Sequence, residues 1–317
     1  MIPPIQHEHG ILTLDADYLR PGLAAVHLIV EDGGVAIVDT GTNHAVPSVL
    51  AELRGLGLGP DAVDYVIVTH VHLDHAGAAG ALLQNCPNAR LVVHPKGARH
   101  MIDPAKLVAG SIAVYGREHF FAHYGDIVPA PAERVIEAGE GFQLDFRGRG
   151  LSFLDTPGHA RHHYCIHDSR SNSLFTGDTF GISYREFDVG DHANPRPFIF
   201  PTTTPVQFEP EALHASIDRL VATGAQAAFL THYGRVGNLA ELATQLHAQI
   251  DELVELTLAA PGAGQERVAW LRAAVEAAML RRLRAHGCTL DDATCKALLE
   301  NDVELNTQGL LVWRDRG

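Results

Sequence analysis

Four residues that can bind a metal ion fall within six positions of the chain. They are His70, His72, Asp74 and His75. Imidazole nitrogens and carboxylate oxygens are ligands that zinc and related divalent ions prefer. The string follows residues 64–69, a run rich in β-branched side chains that predicts a buried strand. A strand end is a rigid platform, so the sequence predicts a divalent metal site immediately after this strand.

Three further candidate ligands stand after later predicted strands. They are His159, Asp178 and His232. A Pro-Gly turn separates His159 from its strand, and Asp178 follows a strand that ends on glycine. A single histidine after a strand is more often structural than functional. Delivered to the same end of a sheet, however, the three residues predict additional metal ligands.

The elements that must position these residues alternate between strands and helices. Strands are predicted at residues 11–14, 24–30, 35–39, 64–69, 90–94, 151–155, 163–167, 173–177 and 226–230. Helices are predicted near residues 46–53, 76–83 and 210–222, from apolar residues at helical spacing or from helix-forming composition. This order predicts two packed sheets that are covered by helices on both outer sides.

Two long connections interrupt this pattern. Residues 95–135 contain several prolines and two short helical patterns, near 97–107 and 110–123, and residues 181–208 are rich in proline, threonine and aromatic side chains. Loops on a fixed scaffold commonly determine specificity, so we expect both connections to form walls of a substrate pocket. The phenylalanines expected to give this pocket apolar surface are Phe120, Phe121, Phe198 and Phe200.

The last part of the chain is predicted to be mainly helical. One apolar stripe consists of Leu239, Leu242, Leu246, Ile250 and Leu253. A second consists of Val268, Leu271, Val275 and Met279. Such stripes are buried against another surface, so we expect them to pack on the main domain or in a homodimer. The predicted organisation is a catalytic domain over 1–237 and a helical extension over 238–317.

Composition and charge narrow the class of partner. The 317 residues include 24 basic and 38 acidic side chains, which give a formal net charge of −14. A protein this acidic repels phosphate backbones, so we expect a small-molecule substrate and no nucleic acid. No apolar run is long enough to cross a membrane. The N-terminus lacks the basic start and apolar run of a secretory signal, so we expect a cytoplasmic location and no membrane partner.

The run of four metal-binding residues, followed by the three later candidates, resembles the metallo-β-lactamase superfamily. The order and spacing match over roughly residues 10–235. Asp39 also matches, as the aspartate that follows an early strand in that family. The resemblance implies an α/β fold, the αββα sandwich of two mixed β-sheets flanked by helices, with the metals at one edge between the sheets.

The resemblance also implies how the ligands are shared between two divalent ions. The ligands of the first ion would be His70, His72 and His159. The ligands of the second ion would be Asp74, His75 and His232. Asp178 would bridge the two ions, and Asp39 would orient a ligand histidine. Zinc is the expected metal, although iron and manganese accept similar ligands.

The implied chemistry is hydrolysis. Two ions about 3.5–4 Å apart can lower the pKa of a shared water, and the bridging hydroxide then attacks an electrophilic carbonyl. Asp74 and Asp178 are the predicted catalytic residues, since either can hold the hydroxide and accept its proton. The antibiotic-hydrolysing subgroup with a cysteine ligand has cysteine where Asp178 stands, and Cys165 is not at that position. An aspartate there resembles hydroxyacylglutathione hydrolases, lactonases and related phosphodiesterases. Among these, the expected substrate is an ester, thioester or lactone.

Three alternatives stay open from the sequence. An iron-dependent oxidoreductase of the persulfide dioxygenase type uses nearly the same ligands. A phosphodiesterase or nuclease shares them too, although the acidic charge weighs against it. A metal-binding regulatory protein with little turnover is the third.

Two pairs of side chains near the candidate ligands bear on the pocket. The lactonase relatives have a tyrosine soon after the bridging aspartate. Tyr184 stands somewhat farther on here, and Tyr233 is a second candidate donor to a developing oxyanion. His162 and His163 follow closely after His159, and on a strand alternation would turn at most one of them toward the metals.

Overall fold

The computed structural model describes residues 2–191, 195–203 and 207–316. The chain forms two compact units. Unit 1 comprises residues 1–155, 162–177 and 224–237, and unit 2 comprises residues 156–161, 178–223 and 238–317. Parts of the predicted connection 181–208, residues 192–194 and 204–206, lie outside the described residues. The predicted domain division between residues 237 and 238 stays a prediction.

Unit 1 contains two mixed β-sheets. The strands of the first are β1 (Ile5–Gln6), β2 (Ile11–Asp15), β3 (Ala25–Glu31), β4 (Gly34–Val38), β5 (Val63–Ile67), β6 (Arg90–Val93) and β7 (Val135–Glu137). They lie side by side in that order. Pairing is antiparallel from β1 to β4 and parallel from β4 to β7.

The strands of the second sheet also lie side by side in chain order, from β8 to β13. Its strands are β8 (Gln143–Phe146), β9 (Arg149–Asp155), β10 (Tyr164–Asp168), β11 (Ser173–Gly177), β12 (Ala227–Leu230) and β13 (Gly234–Val236). Strands β11 and β12 are parallel, and the other neighbours are antiparallel. Consequently β11 and β12 end at the same edge of this sheet.

The two sheets share one hydrophobic core. Ile29 and Ile67 of the first sheet belong to the same buried cluster as Phe153, Phe175 and Phe229 of the second. The rings of Phe175 and Phe229 stack with their centroids 5.0 Å apart. Burial of apolar surface contributes about 25 cal/mol per Å², so this shared core is the main force that holds the sheets together.

The helices of unit 1 follow individual strands of the first sheet. They are α1 (Val46–Gly55), α2 (Leu73–Ala76), α3 (Ala79–Asn85), α4 (Pro95–Ile102), α5 (Ala105–Tyr115) and α6 (Arg117–Tyr124). Helix α3 packs on β5 and β6, and α4 packs on β7. The insertion after β6 therefore holds α4, α5 and α6, where the sequence indicated two short helices. The predicted αββα sandwich of two mixed sheets is confirmed.

Unit 2 contains the predicted C-terminal helices. Its helices are α7 (Pro210–Ala222), α8 (Leu239–Ala259), α9 (Gly264–His286) and α10 (Asp292–Arg316). The stripe on α8 is buried as predicted, whereas Val268 at the start of the α9 stripe is 40% exposed. The helical extension is thus confirmed. Within the described ranges, none of the helices combines the length and hydropathy that a membrane-spanning segment needs.

His27 is a neutral histidine within the core of unit 1. Its Nε2–H donates to the Leu230 carbonyl at 3.1 Å, and its Nδ1 accepts from the Thr13 hydroxyl at 3.1 Å. Complete burial lowers the pKa of His27 to about 4, because desolvation penalises the imidazolium more than the Leu230 carbonyl favours it. His27 therefore stays uncharged in the folded protein at neutral pH.

Acidification should destabilise the fold through His27. Between its ordinary pKa of 6.5 and its folded pKa of about 4, the unfolded chain binds a proton that the folded chain does not. The free energy of unfolding should therefore fall as the pH falls through this window, by up to about 3 kcal/mol. Urea unfolding of the metal-free protein and of a His27→Gln variant, measured at several pH values, would test this. Equal pH dependence in the two proteins would contradict it.

Candidate metal centre

One buried carboxylate connects the chain segments that follow β4, β5 and β12. Asp39 comes directly after β4, is fully buried and has a φ of 51°. Its carboxylate accepts hydrogen bonds from the Thr69 backbone N–H at 2.8 Å, the Thr231 hydroxyl at 2.5 Å and His75 Nδ1–H at 2.7 Å. Because Thr69 and Thr231 each directly precede a candidate ligand, Asp39 fixes the backbone next to both. This contact matches the orienting role that the resemblance implied.

Three candidate ligands of unit 1 converge beside this carboxylate. The donor atoms of Asp74, His75 and His232 all lie within 4.8 Å of one another. Asp74 Oδ2 lies 3.3 Å from His232 Nε2 and 3.7 Å from His75 Nε2. Ligands of a tetrahedral ion with bonds of about 2.0–2.1 Å are about 3.3 Å apart. The spacing of these three donors therefore fits the coordination shell of one divalent ion.

Hydrogen bonds on the far side of each ring determine which nitrogen can bind a metal. His75 donates from Nδ1 to the buried carboxylate described above. His232 donates from Nδ1 to the Leu23 carbonyl at 2.9 Å, and His70 Nδ1 lies 3.2 Å from Thr69 Oγ1. A ring that carries its proton on Nδ1 presents the lone pair of Nε2. The Thr69 hydroxyl donates to Asp39 and so accepts from His70 Nδ1–H, and all three rings are held in the tautomer that a metal ligand needs.

His70 lies at the centre of a group of imidazole rings in unit 1. Its Nε2 is 2.7 Å from Nδ1 of His72. The rings of His163 and His162 stack on His70, with centroids 4.8 Å and 6.2 Å away. Both residues lie just before β10 and not on the strand, so strand alternation does not apply to them. In the sequence, the feature that indicates these two rings is a pair of adjacent histidines shortly after the Pro-Gly-His turn.

Unit 2 brings the two remaining candidates together. His159 Nε2 lies 3.5 Å from Asp178 Oδ2, and both side chains are buried. The Nδ1–H of His159 donates to the Thr202 carbonyl at 3.0 Å, which again leaves Nε2 as the ligating atom. His159 therefore resembles the histidines of unit 1: an oxygen partner holds its Nδ1–H, and its Nε2 faces a carboxylate.

Two glycines are required immediately before these two residues. Gly158 has a φ of 125°, and a Cβ there would lie 2.4 Å from the backbone nitrogen of Leu213. Gly177 has a φ of 48°, and a Cβ there would lie 2.5 Å from Thr69 Oγ1. Side chains disfavour this part of φ space, and the close approach excludes them sterically. The backbone conformation and the close contacts thus explain why glycine precedes both His159 and Asp178.

Comparison with known proteins decides the family. A family model described as the metallo-beta-lactamase superfamily matches residues 19–233. The chain belongs to the metallo-β-lactamase superfamily. Most members of this superfamily are metal-dependent hydrolases, and the His/Asp clusters described above are consistent with the use of divalent metal.

Individual relatives within the superfamily are distant. The metallo-beta-lactamase fold-containing protein of Sulfurisphaera tokodaii is 26% identical over 194 residues, which are 59% of this chain and 64% of that protein. A hydroxyacylglutathione hydrolase of Stenotrophomonas maltophilia is 29% identical over 152 residues, 48% of this chain and 44% of that protein. The chain thus spans less than two thirds of either relative. A solved metallo-beta-lactamase family protein of Thermus thermophilus shares the fold, with a TM-score of 0.67, 22% identity and coverage of 97% and 94%.

In this member of the superfamily, α10 holds the segment that contacts His159. Asn306 Oδ1 accepts from the Thr203 N–H at 2.7 Å, and Asn306 Nδ2–H donates to the Pro201 carbonyl at 3.3 Å. The backbone on both sides of Thr202 is therefore attached to one buried side chain. Since the Thr202 carbonyl fixes the ring of His159, Asn306 acts as a positioning residue for that histidine.

An Asn306→Ala variant is expected to bind zinc more weakly while remaining folded. Partners that orient a metal-binding histidine typically contribute 10- to 100-fold to affinity, so we expect a loss of about tenfold for this indirect contact. Competition with a chromophoric chelator would measure the affinity, and thermal melting would confirm the fold. Asn301→Ala, an exposed position on the same helix, is the control. Equal affinities in the two variants would contradict the positioning role.

The two tyrosines suggested by the lactonase comparison differ in their surroundings. The hydroxyl of Tyr184 donates to Asp302 Oδ2 at 2.8 Å, so its proton is directed into the packing of unit 2. Tyr184 therefore does not match the role of an oxyanion donor. Tyr233 is buried next to His232 and has a φ of 123°, a conformation that costs energy in a non-glycine residue.

The phenylalanines predicted to line the pocket mainly serve packing. Phe120 is fully buried and packs on Phe121 and Tyr124 in unit 1. Phe198 and Phe200 are buried and stack on each other in unit 2, with centroids 5.8 Å apart. Buried rings of this kind stabilise the two connections internally.

Proposed function

We propose that this chain is a hydrolase that uses two divalent ions, zinc first, to cleave an ester, thioester or lactone. The observation that carries the proposal is that oxygen partners fix the Nδ1 atoms of the candidate histidines: His75 and His232 beside Asp74 in unit 1, and His159 beside Asp178 in unit 2. Such nitrogen and oxygen donors suit zinc, iron and manganese. Most members of the superfamily are metallo-hydrolases, which supports a hydrolytic reaction.

The ligand assignment is proposed in two sets with one shared carboxylate. The first set is His70, His72 and His159. The second set is Asp74, His75 and His232, whose donor atoms already lie within 4.8 Å of one another. Asp178 is proposed as the shared ligand, and its contact with His159 supports that role.

The roles of the two carboxylates follow from their exposure. Divalent ions, when bound, lower the pKa of a water molecule and polarise the substrate carbonyl. The Asp74 side chain is 23% exposed, whereas Asp178 is 7% exposed. We therefore assign Asp74 as the general base, which accepts the proton of the attacking water at the carboxylate oxygen that does not bind the ion. Asp178 is assigned to the ligand shell, where its burial keeps the carboxylate in one position.

Several features favour an acyl substrate over the alternatives. Asp178 stands where one antibiotic-hydrolysing subgroup, the one with a cysteine ligand, has that cysteine, and Cys165 is buried in β10 with its thiol directed to the Thr176 carbonyl. The relative named hydroxyacylglutathione hydrolase also points to acyl chemistry. The net charge of −14 disfavours polyanionic substrates such as nucleic acids.

A substrate panel tests this proposal. The zinc-loaded protein is offered an aryl ester, a thioester, an N-acyl lactone and a phosphodiester, and we expect turnover of at least one acyl substrate. A chelator should abolish this turnover and zinc should restore it. An Asp74→Asn variant, with its fold checked by circular dichroism, should lose it by about 10²- to 10⁴-fold. Turnover of the phosphodiester alone, or oxygen uptake by an iron-loaded form, would contradict the proposal.

A further inference from the structure

A second group of histidines and carboxylates lies on α7 and α8. Each helix carries the motif His-x-x-x-Asp, with His214 and Asp218 on α7 and His247 and Asp251 on α8. Residues four apart share one face of a helix. Within unit 2, α7 and α8 pack on each other, and the two motifs meet at this contact.

The four side chains are paired crosswise between the helices. His214 Nε2 lies 3.1 Å from Asp251 Oδ1, and His247 Nε2 lies 3.0 Å from Asp218 Oδ1. The two ring planes are inclined by only 18° and the centroids lie 4.8 Å apart, so the rings meet edge to edge. Their Nδ1 atoms face each other at 2.6 Å. Each motif thus supplies one histidine, whose Nδ1 faces that of the other histidine, and one aspartate, which accepts from the other motif's histidine.

This pairing determines which nitrogen of each ring carries the proton. An ionised carboxylate only accepts hydrogen bonds, so each Nε2 is the donor to its aspartate. Two neutral rings in that tautomer direct both Nδ1 lone pairs at the same point. At 2.6 Å the lone pairs repel unless a positive charge lies between them, either a shared proton or a metal ion. A histidine whose other nitrogen donates to a carboxylate is the usual form of a metal-binding histidine.

We propose that His214 and His247 bind a divalent transition metal ion such as zinc through their Nδ1 atoms. Zinc bonds of about 2.0–2.1 Å separate two ligands by about 3.3 Å, so each nitrogen moves by roughly 0.4 Å. The rings are 27% and 25% exposed, which leaves room for this movement and for water to complete the shell. The bound ion displaces the shared proton and links α7 to α8. None of these four residues belongs to the predicted catalytic ligands, so the inference is independent of the proposed function.

Equilibrium dialysis against Zn²⁺ tests this site in the protein that already carries its tightly bound metal. Elemental analysis then gives the zinc bound per chain as free zinc increases. We expect the unaltered protein to bind one more zinc than the H214Q/H247Q variant. The D218N/D251N variant should bind this zinc about 10- to 100-fold more weakly, because it retains the ligands and loses the partners that orient them.

The matched control is the H119Q/H123Q variant. His119 and His123 also form a neighbouring pair, with ring centroids 4.1 Å apart, but on a single helix, α6. This variant should retain the additional zinc, and zinc should raise its melting temperature as it does for the unaltered protein. Equal zinc binding by H214Q/H247Q and the unaltered protein would overturn the proposal, as would loss of the additional zinc in the control. Circular dichroism establishes that each variant is folded.

Discussion

An Asp178→Ala variant is expected to lose one of two bound metal ions and to lower kcat by at least about 10²- to 10³-fold. This carboxylate is the proposed shared ligand, it is almost fully buried, and it lies 3.5 Å from His159 Nε2. Removal of a group positioned beside the developing charge typically has an effect of this size. Elemental analysis and steady-state kinetics on the best acyl substrate would measure both quantities.

The control for this variant is Asp191→Ala, which removes an exposed carboxylate from the same unit. It should keep both its metal content and its kcat. An Asp178→Asn variant separates charge from shape, because asparagine fills the same volume with a neutral amide. We expect it to resemble Asp178→Ala in kcat. Full metal content and full activity in Asp178→Ala would show that Asp178 is not a ligand.

An Asp39→Ala variant is expected to lower both the stability of the fold and its affinity for zinc. The substitution leaves the buried hydrogen-bond donors of Thr69, Thr231 and His75 without their acceptor. One such unsatisfied donor costs about 1–3 kcal/mol, so we expect a loss of at least about 3 kcal/mol in the free energy of unfolding. Loss of the carboxylate that orients His75 should weaken zinc binding by about 10- to 100-fold.

Urea unfolding of the metal-free protein and a chelator competition would separate the two effects of Asp39. Asp64→Ala is the matched control, because Asp64 pairs with Arg147 near the surface, with side chains 27% and 40% exposed. Exposed ion pairs contribute little, so this variant should keep nearly the full stability of the unaltered protein and all of its zinc affinity. If Asp39→Ala behaved like Asp64→Ala, the carboxylate would not organise the metal centre.

Much of the fold could be predicted because long strands and helices leave a periodic record in the sequence. Strands β3 and β9 and helix α8 lie at nearly the predicted positions. The candidate ligands could be predicted for a related reason, since they stand where strands end. The short strands β1, β7 and β13 could not, because two or three residues are too few to establish a period.

Contacts between distant parts of the chain left no local signal. The bond between Asn306 and Thr203 joins residues 103 positions apart, and the bond between Tyr184 and Asp302 joins residues 118 apart. Neither residue pair has a spacing or motif that marks it. The predicted strand 163–167 begins one residue later in the structure, at Tyr164, so strand alternation does not describe His162 and His163.

A buried ion pair in unit 1 is a further contact that no local sequence pattern predicts. Arginine is usually exposed, yet Arg149 is fully buried and its guanidinium contacts both oxygens of Asp168 at 2.8 and 2.5 Å. Burial by itself would raise the pKa of Asp168, but the hydrogen bonds from Arg149 and Ser171 hold it below its ordinary value. Only the paired strands β9 and β10 bring these charges together.

The most direct test of the metal centre is the metal content of protein purified without added metal, measured by elemental analysis beside a His72→Ala variant. We expect about two divalent ions per chain, mainly zinc, and a clear reduction in the variant. One iron per chain would instead favour an oxygen-dependent reaction. No bound metal in either protein, even after reconstitution with zinc, would contradict the assignment of His70, His72, Asp74 and His75 as metal ligands.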